Sequence, residues 1–71
     1  MHFKRIKDMR EDNDLTQEDI AQILGIQQTV YSRYERGFQT IPLEHLIKLA
    51  ELYDVSLDFL TGRTNNMRMN K

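Results

Sequence analysis

The chain has 71 residues and no cysteine. That absence excludes disulfides and thiolate zinc ligands as props for a core this small, and it points to a reducing, cytoplasmic setting. No apolar run approaches the length needed to span a bilayer. The opening Met1-His2-Phe3-Lys4-Arg5-Ile6-Lys7-Asp8 also lacks the apolar stretch of a secretory signal, so no membrane partner is expected. Positive charge is not in excess. Ten Lys and Arg stand against eleven Asp and Glu, a formal net charge of -1, which is not the usual footprint of a nucleic-acid binder. Val, Ile and Thr never alternate with polar residues over a strand length, and there is no internal repeat or low-complexity segment. His2 and His45 stand apart with no acid or thiol at ligand spacing, so no metal is expected. Without a nucleophile beside a base, or a glycine-rich phosphate loop, neither catalysis nor a cofactor is expected.

What is present is helical punctuation. The pattern predicts five helices in one domain. The first covers about residues 3 to 12, with Phe3, Ile6, Met9 and Arg10 on one side, and Asn13-Asp14 breaks it. The second opens at Thr16 as N-cap, with Asp19 three positions on as a shortened capping box and Leu15 and Ile20 as a hydrophobic staple. Ile20, Ala21, Ile23 and Leu24 form its inward face. Gly25 stops it in the left-handed conformation. The third spans roughly Gln28 to Arg36, with Gln27 at the cap. Tyr31, Tyr34 and Ile26 are directed at the core, and Gly37 is the stop.

The fourth helix starts at Pro42, a residue suited to a first helical position. Leu43, Leu46, Ile47, Ala50 and Tyr53 follow at helical spacing, with Leu49 and Leu52 beside them. A short fifth helix has Ser56 as cap, Val55 and Leu60 as staple, Phe59 inward and Gly62 as stop. Residues 1–62 thus make one helical domain, and the polar residues 63–71 read as a flexible tail.

The third helix carries a flank with no hydrophobic reason to exist, namely Gln28, Thr29, Ser32 and Arg33. Two helices joined through a glycine turn, the second bearing such a flank, have the layout of a DNA-binding helix-turn-helix. Arginine can form two parallel hydrogen bonds to guanine, and glutamine can do the same to adenine. Charge is unevenly spread in a way that permits this. Acids crowd Asp8 to Asp19, whereas residues 27 to 43 carry Arg33 and Arg36 against Glu35 alone.

Over residues 3 to 62 the pattern resembles the Cro and phage-repressor-type helix-turn-helix family. The resemblance rests on Thr16-Gln17-Glu18-Asp19-Ile20-Ala21, Leu24-Gly25-Ile26, Tyr34-Glu35-Arg36-Gly37, Pro42, Leu49-Ala50, and Val55-Ser56-Leu57-Asp58-Phe59-Leu60. It implies an all-α, compact five-helix bundle and a transcriptional regulator, a repressor, binding double-stranded operator DNA as a homodimer. By position it implies base contacts from Gln28, Thr29, Ser32 and Arg33, with Gln27 at the groove entrance. It implies phosphate contacts from Thr16, Gln17, Arg36, Phe38, Gln39 and Thr40, with Gln17 also steadying Gln28. Arg10 and Glu35 would form an internal salt bridge, and Leu57, Leu60 and Thr61 a dimer interface. The chain departs from relatives in placing tyrosine at 31 and 34, where aliphatic residues are usual. Its loop after Gly37 is also poor in Lys and Arg. An alternative of another class is a protein-interaction module, such as an antitoxin that binds a partner toxin. The acidic balance and that basic-poor loop favour it.

Overall fold

A computed structural model describes residues 2–67 of the chain. Five helices follow one another: α1 (Lys4–Asp12), α2 (Gln17–Leu24), α3 (Gln28–Arg36), α4 (Leu43–Tyr53) and α5 (Leu57–Leu60). There is no strand among the described residues. The all-α bundle expected from the sequence is the fold observed.

Local chemistry sets the helix ends. Asp19 N–H donates to the Thr16 hydroxyl, and Thr16 N–H donates to the Asp19 carboxylate at 2.9 Å, a complete capping box. These bonds from Thr16 hold the exposed Asp19 carboxyl below its ordinary value. Three helices end alike. Gly25 (φ 72°), Gly37 (φ 80°) and Asp54 (φ 55°) adopt the left-handed conformation. In each case the next N–H reaches back five residues: Ile26 to Ala21 O, Phe38 to Arg33 O, Val55 to Ala50 O, at 2.9–3.0 Å.

Two boundaries differ by one residue from expectation. Phe3 and Pro42 are N-caps rather than first helical residues. Pro42 has an extended ψ of 151°; its carbonyl accepts from His45 and Leu46, which starts α4 at Leu43.

The core joins Ile6 and Met9 of α1, Ile20, Ala21 and Leu24 of α2, Tyr31 of α3, Leu46, Leu49, Ala50 and Tyr53 of α4, and Leu60 of α5. Ile41 and Val55, which lie between helices, complete it. Ile23, expected inward, is 38 % exposed, and Leu43, Ile47 and Leu52 are also exposed. A helix buries only the arc its neighbours cover, and on α4 that arc is the 46/49/50/53 line. Tyr34 is half-buried, its ring 6.3 Å from that of His45.

The chain beyond α5 runs back over the bundle. The Arg5 guanidinium lies 4.2 Å from the Phe59 ring centroid and donates to the carbonyls of Phe59 and Thr64 and to the Asn65 side chain. Ser56 N–H donates to Met67 O at 2.8 Å. Residues 68–71 of the expected tail lie outside the described residues.

Candidate functional site

Beneath the outer face of α3 lies a buried polar knot. Glu35 is 3 % exposed, and a carboxylate so buried needs partners. Arg10 supplies two parallel bonds, Nε to Oε2 at 2.7 Å and Nη2 to Oε1 at 3.1 Å. Gln17 Nε2 donates to Oε1 at 3.1 Å. Arg10 Nη1 also donates to Leu15 O, at the entry to α2. One guanidinium thus joins α1, the α1–α2 turn and α3.

Burial alone would raise the Glu35 carboxyl. The Arg10 guanidinium, the nearby Tyr31 hydroxyl and the Gln17 amide outweigh it, and the group sits below its ordinary value. Its hydrogen bond raises Arg10 in turn. The Tyr31 hydroxyl faces this carboxylate without a well-aligned hydrogen bond, and the buried Tyr53 hydroxyl likewise has no partner. Desolvation raises both phenols, Tyr53 to about 12.

α3 itself is clamped at both ends. Its first turn is held through the Gln27 carbonyl, which accepts from Val30 and Tyr31; the Gln27 side chain makes no capping bond. At the other end His2 Nε2 donates to Glu35 O at 2.6 Å, and the His2 ring packs on Gly37. A Cβ added at residue 37 would meet that ring at 3.0 Å.

With α3 fixed, Gln28, Thr29 and Arg33 are exposed and Ser32 half-buried on one flank, and Gln27 is exposed at its start. By 100° per residue, positions 28, 29, 32, 33 and 36 occupy an arc of roughly 140° opposite the buried Tyr31. A shallow groove brings Gln17, Gln28, Thr29, Ser32, Arg33 and Arg36 together. Arg33 and Arg36 lie in the last helical turn, where the helix dipole favours cations. Arg36 sits 4.5 Å from the centroid of the Phe38 ring, itself 68 % exposed. Gln39 and Thr40 are exposed in the following loop, and the Thr16 hydroxyl serves as the α2 cap. This surface offers amides, hydroxyls and two guanidinium groups, a set suited to base edges and phosphates.

The residues assigned to a dimer contact do not share one environment. Leu57 and Thr61 are half-buried, with the Thr61 hydroxyl donating to Leu57 O. Leu60 is fully buried within the protomer and has no surface to offer a partner. Among the described residues no three His, Asp or Glu gather as a metal set, and no helix is long and apolar enough to cross a membrane. Sequence reasoning missed the roles of His2 and Arg5. Neither falls in a motif, and both act across more than thirty residues.

The helix-turn-helix family model matches residues 6–60. The chain is 38 % identical over 66 residues to the uncharacterized HTH-type transcriptional regulator YobD of Bacillus subtilis, covering 93 % of this chain and 59 % of that protein. It is 39 % identical over 57 residues to the cryptic phage CTXphi transcriptional repressor RstR of Vibrio cholerae, covering 80 % and 51 %. Antitoxin PezA of Streptococcus pneumoniae is 36 % identical over 59 residues, 83 % of this chain and 37 % of PezA. The chain thus spans little more than half the length of the first two relatives.

Proposed function

Since the chain belongs to the helix-turn-helix family of the Cro and phage-repressor type, we propose that it is a sequence-specific DNA-binding transcriptional regulator, a repressor, that acts as a homodimer. α3 enters the major groove. Gln28 and Arg33 read base edges, Thr29 and Ser32 add shorter contacts, and Gln27 lies at the groove entrance. Gln17, Thr16, Arg36, Phe38, Gln39 and Thr40 meet the sugar–phosphate backbone. Two copies related by a two-fold axis address half-sites about 34 Å apart, with Leu57 and Thr61 at the contact between them.

The observation that carries this reading is the polar flank of α3, displayed to solvent on a helix whose inner side is locked by Arg10, Glu35 and Gln17. The fold has no structural need of that flank. Selection of bound sequences from random duplex DNA at stated salt tests the reading and should return a palindromic site. In a gel shift on that site, Arg33→Ala should relax preference at one base pair by about 1–3 kcal/mol. An unchanged preference would remove Arg33 from the reading face.

The PezA similarity supports a second reading, an antitoxin-like module bound to a partner protein. Co-purification with a second polypeptide, together with loss of autonomous DNA binding, would favour it over the first.

A further inference from the structure

A second cleft opens around the corner from the α3 flank, between the start of α1 and the end of α3. Its volume is about 370 Å³, at the small end of ligand sites and open along the protein surface. Lys4 and Lys7, one helical turn apart on α1, form one wall. Arg36 and Phe38 form the other, with Gln17 and His2 between them. Lys4, Lys7 and Arg36 are all exposed. None joins an ion pair among the described residues, although Asp8 and Glu11 stand four positions on from the two lysines. The one carboxylate that borders the cleft, Glu35, is already occupied by Arg10 and Gln17. The lining of the cleft thus carries three cations against one carboxylate that is already held, in a chain of net charge -1.

Its geometry is held from both sides. The His2 bond to Glu35 O fastens the entry of α1 onto the end of α3, and the Arg10 pair fastens the other end of α1 to the same helix. Gln17 and Arg36 line this cleft and the α3 groove alike, so the two surfaces are continuous.

We propose that Lys4 and Lys7 form a backbone-phosphate site that extends the DNA footprint outward from α3. The site takes phosphodiester oxygens flanking the half-site and carries no base information. It rests on the DNA-binding reading and adds to it a source of affinity that the basic-poor loop after Gly37 does not supply.

The test measures affinity of the full chain for its selected duplex across a salt series, by fluorescence anisotropy. The variants are Lys4→Gln with Lys7→Gln together and, as a charge control, Lys48→Gln. Lys48 is exposed on α4 and lines neither surface. Each lost phosphate contact lowers the slope of log affinity against log salt by about one. The double variant should therefore lose about two, with its ratio of specific to non-specific affinity unchanged and Lys48→Gln without effect. Replacing flanking phosphates by methylphosphonates should weaken the unaltered protein more than the double variant, in which Gln17 and Arg36 still line the cleft; an equal loss in both would overturn the site. An unchanged slope in the double variant overturns the site while leaving the regulator reading intact, as does an equal loss per lysine in Lys48→Gln. If the unaltered protein binds no duplex at any salt, the regulator reading itself fails, a result independent of either lysine.

Discussion

The α1–α3 half and the α4–α5 half of the bundle solve opposite problems. Around α3 the apolar core contributed by Ile6, Ile20, Leu24 and Tyr31 is bordered by the buried Arg10–Glu35–Gln17 knot, and the exterior is polar. Around α4 the buried side chains are aliphatic and aromatic, with the Tyr53 hydroxyl as their one polar group, while Leu43, Ile47 and Leu52 remain on the surface. A buried ion pair specifies one arrangement and contributes little net stability. A close-packed apolar core contributes the stability and tolerates more variation. The contrast matches the proposed division of labour: a helix that must be aimed is fixed by directional bonds, and a helix pair that holds the molecule together is fixed by burial.

Removing one partner of the knot is the most severe way to break that contrast. Glu35→Ala leaves the Arg10 guanidinium, 12 % exposed, without its counter-charge and should cost about 3–5 kcal/mol in urea unfolding. A loss below 1 kcal/mol would mean that α3 is held by packing alone. A smaller effect separates the two glycine stops of α2 and α3. An alanine at either position adopts a left-handed conformation at a cost of about 1–2 kcal/mol. Gly25 has open space around it, whereas at Gly37 the new Cβ also meets the His2 ring. Thermal melts should rank Gly37→Ala below Gly25→Ala, and in the background of His2→Ala the two should converge.

The mildest probe is pH. The Glu35 carboxyl is lower in the folded state than in the unfolded chain, so its contribution is present above about pH 4.3 and fades as pH falls below that value. Tyr53 is raised to about 12 in the folded state against an unfolded value near 10. Its contribution is therefore complete below about pH 10 and is lost as pH rises toward 12. Denaturant midpoints across pH should slope at both ends, and Tyr53→Phe should reduce the alkaline slope alone, with Tyr31, also raised by burial, supplying what remains.

The helix boundaries were legible because their determinants are local. Thr16 and Asp19 lie three residues apart, and Gly25 and Gly37 each act on the turn they end. The outward flank of α3 was legible for the same reason, since amide and hydroxyl side chains at helical spacing need no tertiary context to stand out. The one-residue shift at Pro42 was not, because proline's fixed φ suits both the cap and the first helical position, and only ψ separates them. Ile23, Leu43 and Ile47 defeat periodicity for another reason. How wide an arc is buried depends on which neighbours cover it, and a single helix does not record that. Ile41 sits in a loop with no period at all. The tie between Gln17 and Glu35 spans eighteen residues, a distance at which composition carries no signal.

Arg5 gives the fold a mechanical property. Its guanidinium grips residues 59, 64 and 65 from the first turn of α1, more than fifty residues earlier, so those two segments do not fray independently. Amide hydrogen exchange at the first turn of α1 and at the stretch after α5 should proceed as one opening event with a shared rate, and a tug on either of these two segments would load the other.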